Sequence, residues 1–287
     1  MYLLLSILSS TLIVVIFKLI KKAKADTLQV IVANYFTACS IGLLTYKFPI
    51  EISSLVHSKW FLGAIGLGAL FISIFYIMAL STQKNGISVT AVASKMSVVI
   101  PVIFGILVYQ ESTDTQKLSG IVLALVAVYL ASIKTKGQFN LKSNLTLPFL
   151  LFLGSGIIDT SIKYLETTYV GEQGIPLFSA TIFFSAATLG CCTLLYKRLK
   201  HQLLLSFKNV FWGILLGSAN YASIYYLLKA LNNEFYESST LFTLNNVGIV
   251  MLSTLTGLLF CKEYLSYKNW IGIGLAIISI LLVTLAQ

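Results

Sequence analysis

Ten apolar runs constrain this chain more than any other feature: 2–20, 28–46, 60–80, 86–109, 118–133, 147–165, 176–196, 210–231, 238–260 and 270–286. A hydrocarbon core about 30 Å thick takes about 20 residues of helix to cross. The runs fill most of the chain and leave no room for a large soluble domain. Charged residues make up 10% of the sequence, against about 25% in an ordinary soluble domain. The expected fold is therefore an all-α integral membrane protein of ten transmembrane helices, in a multi-pass cell-membrane location with the lipid bilayer as its surroundings.

The first run is not read as a cleaved signal peptide, because its lysines follow the apolar stretch instead of preceding it. The net charge of +10 would suggest nucleic acid in a soluble protein. Here the basic residues lie mainly in loops, so membrane topology accounts for them and no nucleic-acid partner is expected. Fourteen of the 20 Lys and Arg residues fall in the loops after spans 1, 3, 5, 7 and 9, and five fall in the alternate loops. The positive-inside rule then puts the first set in the cytoplasm and both termini outside. Cys39, Cys191, Cys192 and Cys261 show no metal spacing, and His57 and His201 are isolated. No metal is expected.

The chain contains itself twice. IFYIMAL (74–80) resembles IYYLLKAL (224–231), and YFTACSIG (35–42) resembles FFSAATLG (183–190). Glu111 precedes Gly120 by nine residues, as Glu263 precedes Gly272, and Ser10 precedes Lys18 by eight, as Ser155 precedes Lys163. The matches keep their order, which divides the chain into halves of five spans each, 1–137 and 138–287. An odd number of spans sends the second half into the membrane from the opposite side. Such inverted repeats are common in secondary transporters, whose substrate sites lie near the midplane between the repeats.

These features resemble the ten-helix EamA-type branch of the drug/metabolite transporter superfamily. The first span of each half ends in lysine, as FK (17–18) and IK (162–163), and the fourth ends in an acid, as LVYQE (107–111) and LFCKE (259–263). A polar linker and a Gly-bearing last span follow, as KLSGIVLALVAVYLAS (117–132) and NWIGIGLAIISILLV (269–283). The resemblance covers essentially the whole chain. It implies two inverted five-helix repeats around a central cavity, a small-metabolite substrate and no cofactor. Ten-helix members usually keep their termini in the cytoplasm, whereas the lysine distribution here argues the reverse. Small multidrug members carry a membrane glutamate where this chain has Ser10 and Ser155, which weakens a reading as a proton-driven exporter of lipophilic cations.

Polar groups inside apolar runs face protein or a wet cavity, because hydrocarbon cannot solvate them. Lys18, Lys163 and Lys229 sit near span ends and can snorkel, and Glu111 and Glu263 are expected to terminate helices or bind loop groups. Lys95 is deeper, nine residues from Gly86 and so about 14 Å in at 1.5 Å per residue. It is the leading substrate-binding residue. Asp159, in GSGIIDTSIKY, is the proton-coupling candidate, and a Lys95–Asp159 ion pair is the structural alternative. Asn34, Tyr35, Asn220, Tyr221, Tyr225, Asn245 and Asn246 complete the candidate substrate site, since amides and phenols can bind a polar ligand while their bodies pack. Glue between helices is the alternative for each of them.

The function expected is a secondary transporter, an exporter of small polar metabolites such as amino acids or related compounds. A membrane enzyme would need paired acids, a His cluster or a nucleophile with its base, and the sequence offers none. A lipid-carrier or scaffold protein would spread its polar residues along a lipid-facing seam. A homodimer is left open.

Overall fold

The computed structural model describes residues 1–46, 55–108, 115–132, 141–170, 174–201, 206–231 and 238–285. Among these the protein is helical, with eleven helices of ten residues or more: α1 (Tyr2–Lys22), α2 (Thr27–Thr45), α3 (Phe61–Asn85), α4 (Ile87–Met96), α5 (Val99–Val108), α6 (Thr115–Ser132), α7 (Leu141–Tyr169), α8 (Ile175–His201), α9 (Phe207–Leu231), α10 (Ser238–Leu259) and α11 (Tyr267–Leu285). Five helical segments, in α1, α2, α3, α7 and α8, are long and apolar enough to cross a membrane, and several others are shorter apolar helices. This architecture is that of a helical membrane protein.

Helix ends follow from local chemistry. α1 finishes with Lys24 in the left-handed region (φ 52°). The Lys24 N–H bonds the Lys21 carbonyl and the Ala25 N–H bonds the Ile20 carbonyl, both at 3.1 Å, which is the Schellman pattern. Asp26 then caps α2, accepting the Gln29 N–H at 2.9 Å. At the head of α11, Ser266 Oγ accepts the Asn269 N–H at 3.3 Å while Asn269 Oδ1 accepts the Ser266 N–H at 2.9 Å. That is a capping box with asparagine in the usual Glu/Gln position.

The fourth apolar run, read as one span, is two helices. α4 stops at Met96 and α5 starts at Val99. Pro101 explains the break. It has no N–H to give the carbonyl four residues back, Ser97, and its ring crowds that same group. The Ile100 N–H takes the Ser97 carbonyl instead, at 2.9 Å. The Ser97 hydroxyl bonds the Ser94 carbonyl at 2.6 Å, meeting one of the acceptors that the interrupted helix leaves open.

The chain forms two compact units, and each takes segments from both sequence halves. The first holds Met1–Lys18, Ile77–Ile157 and Ala222–Gln287. In it α6 packs along α11, and α4 packs against α6, α10 and α11. Val92 and Met96 of α4, Ala124 and Ala127 of α6, Val250 of α10 and Ala276 of α11 are core residues there. The second holds Leu19–Tyr76 and Ile158–Tyr221. There α2 packs along α8, and Trp60, Ala64 and Leu67 meet Phe178 and Ile182.

Candidate functional site

Lys95 lies in the last turn of α4, beside the break, and is half-buried. A helix C-terminus presents carbonyls and a partial negative charge, which favour a cation there. The stretch around Lys95 is well packed: Val92, Ala93, Met96 and Ser97 are all buried. α4 is thus a short rod carrying an ammonium group at its C-terminal end.

The other end of that rod is held by Glu263. The helix begins at Gly86, which supplies no side-chain cap and has φ 104°. Glu263 Oε1 accepts the Ile87 N–H at 2.7 Å. Its Oε2 accepts the Ser88 N–H at 3.3 Å and the Ser88 hydroxyl at 3.2 Å. Lys18 Nζ completes the group, 3.2 Å from Oε1, with side-chain exposures of 29% for Lys18 and 10% for Glu263. A carboxylate at a helix N-terminus meets both the open N–H groups and the positive end of the dipole. The backbone beyond α10 aims it there. Lys262 turns at φ 50°, and the Glu263 N–H bonds back to the Gly257 carbonyl at 2.9 Å. Two glycines make room. A Cβ on Gly86 would sit 2.8 Å from the Glu263 carboxylate, and one on Gly257 would sit 2.6 Å from it. Glu263, expected to terminate its helix or bind loop groups, therefore caps a different helix. Lys18, expected to snorkel, is in an ion pair. Glu111 and the Lys163 side chain lie outside the described residues.

The first unit also holds Tyr225, Asn245 and Asn246. Asn245 is buried and its Oδ1 has no partner among the described residues, while Asn246 is half-buried. Their helix, α10, packs against α4, so the structure brings together the two elements that carry Lys95 and the asparagine pair. Tyr225 lies on α9, half-buried, with the Lys229 ammonium 4.8 Å from its ring centroid.

The second unit holds Asn34, Tyr35, Asn220, Tyr221 and Asp159. Asn220 Nδ2 donates to Asn34 Oδ1 at 3.3 Å, an amide pair joining α2 to α9. Close approach of these helices depends on Gly217, where a Cβ would lie 2.5 Å from the Asn34 carbonyl oxygen. Tyr35 is fully buried between Phe75 and Phe183, with ring centroids 5.7 and 6.0 Å away. The Tyr221 and Thr45 hydroxyls share a short hydrogen bond. Asp159 is exposed on α7, three residues from the end of the apolar segment Leu145–Ile162. Asn34 and Asn220 thus bind each other, as glue between helices would. Even so, Asn34 Nδ2 and the Tyr35 hydroxyl are buried without a partner among the described residues. Such atoms are rare in folded proteins and call for an explanation such as water, an ion or strain. Among the described residues no three His, Cys, Asp or Glu side chains gather as a metal site requires.

Pro101 was the readable signal for the break, since a proline inside an apolar run interrupts the hydrogen-bond ladder. The capping role of Glu263 had no such signal.

No protein-family model matches the chain. It is similar to a Haemophilus influenzae protein described as uncharacterized, at 32% identity over 278 residues, 93% of this chain and 92% of that one. A solved structure, described only as the crystal structure of a protein, matches 98% of this chain and 97% of its own at TM-score 0.56 and 16% identity. At that identity the likeness concerns the fold alone.

Proposed function

This chain belongs to one family with the Haemophilus influenzae protein, and we propose that it is a secondary transporter, exporting small polar metabolites such as amino acids or related compounds by alternating access. The observation that carries the reading is Lys95 at the end of a helix broken inside an apolar run. Interrupted helices in the membrane leave carbonyls and charges available to a solute, and transporters place their sites at such breaks. Asn245, in the same unit as Lys95, supports it further, with a buried Oδ1 that no protein group among the described residues satisfies.

The ten-span, inverted-repeat arrangement belongs to the same proposal, as does its resemblance to EamA-type drug/metabolite transporters. The packing pairs support it. α2 packs with α8, α4 with α10 and α6 with α11. Each pair joins a helix of the first half to the one at the corresponding place in the second, a pairing compatible with a pseudo-twofold relation. The experiment is uptake into proteoliposomes across amino acids, sugars and nucleobases, with and without a pH gradient. A chain that is correctly folded and moves none of these solutes would end the reading.

Asp159 is the proposed proton carrier, an acid exposed within an apolar segment. Such a group needs a wet path, since lipid does not solvate it. Asp159→Asn is expected to abolish gradient-driven accumulation while leaving substrate exchange intact. Accumulation at the wild-type level would remove Asp159 from the coupling path.

In this reading the chain sits in the cell membrane with both termini outside. A reporter that is active only in the cytoplasm, fused after Gln287, is expected to stay silent. A bright fusion would reverse the orientation drawn from the lysines.

A further inference from the structure

We propose that Tyr2, Tyr225 and Tyr226 form an ammonium-binding box, which the chain's own Lys229 occupies as a tethered competitor and which takes the ammonium group of an amine solute when Lys229 leaves. The Lys229 ammonium lies 5.3 Å from the Tyr2 ring centroid and 4.8 Å from that of Tyr225. Aromatic faces attract cations through the ring quadrupole at this range. Tyr226 holds both rings in place, stacked on Tyr2 at 6.4 Å and 15°, and edge-on to Tyr225 at 5.5 Å.

Helix geometry builds the box. Tyr2 and Ser6 are four apart on α1, and Tyr225 and Lys229 are four apart on α9, so each pair shares a helical face. The buried Ser6 hydroxyl donates to the Ser223 carbonyl at 2.9 Å. That bond ties α1 to α9 close to the rings. The counterpart of this stretch in the first half, IFYIMAL, has no lysine. The cation is therefore an addition peculiar to the second half, which the repeat does not require.

Lys229 is exposed and lies in the last turn of α9, where its side chain can also reach outward. It is held in the box by the two ring faces and by a hydrogen bond to the Tyr225 hydroxyl, on a short tether. A tethered ligand competes at an effective concentration of order mM or higher. A free amine therefore binds weakly until the lysine swings to water. The box by itself is a binding site. Its part in transport rests on the transporter reading above.

The test uses the purified full chain in detergent and tetramethylammonium as probe, followed by saturation-transfer NMR of its methyl protons. Lys229→Met, which keeps the aliphatic stem, and Lys229→Ala are expected to bind the probe at least about tenfold more tightly than the wild type, as two aromatic faces freed of a competitor allow. Tyr225→Leu added to either is expected to abolish binding. Neopentyl alcohol, an uncharged molecule of similar shape, is expected not to compete. Absence of saturable binding in both lysine variants, with wild-type melting, would overturn the box, and so would binding that survives Tyr225→Leu or is displaced by the alcohol. If only one lysine variant keeps its fold, that one is decisive. Because the readout is binding, a failed uptake screen beside intact probe binding would count against the transporter and not against the box.

Discussion

Glu263→Ala is expected to destabilise the protein by about 3 kcal/mol, the lower end of what removing one partner of a buried ion pair costs. The lower end applies because Lys18 keeps 29% side-chain exposure, so water screens part of what is lost. The loss has two parts. The Ile87 and Ser88 N–H groups become open donors at the start of α4, and the Lys18 ammonium loses its counter-ion. Lys18→Met removes only the second part, since the carboxylate keeps its bonds to Ile87 and Ser88. It is expected to cost about 1 kcal/mol or less. Thermal unfolding in detergent separates the two variants. Equal losses would mean that the helix cap contributes nothing and that the ion pair alone matters.

Lys95→Met is expected to leave a folded protein whose solute uptake falls at least about thirtyfold. Truncating one partner of a buried charge interaction costs about 2 kcal/mol or more in binding, which is the source of that factor. Methionine keeps the unbranched stem, so the packing among Val92, Ala93 and Met96 is kept, and melting is expected to match the wild type. Lys95→Arg is expected to transport poorly as well. Its planar fork does not reproduce a compact point charge at the crowded end of a helix. Uptake at the wild-type rate by a well-folded Lys95→Met protein would remove Lys95 from the site.

The helices were legible because a helix satisfies its backbone from residues close in sequence, so an apolar run carries most of the needed information. Among the described residues nine of the ten runs hold one helix each, and the fourth holds two. That departure also had a local cause, Pro101, which acts on the carbonyl four residues before it. Lys95 stood out for a similar reason, as the one charge in its run.

The partners of the polar residues could not be read in this way. Glu263 meets Ile87 across 176 positions, and Asn220 meets Asn34 across 186. No periodicity links residues so far apart. Tyr35 and Tyr225 looked equivalent as tyrosines in apolar runs. Packing then placed one between two phenylalanines and the other beneath an ammonium group. The sequence by itself determined which segments are helical and where charge enters them. Only the tertiary structure decided which groups each charge meets, because hydrogen bonds and ion pairs depend on ångström distances between elements that the chain brings together from both of its halves.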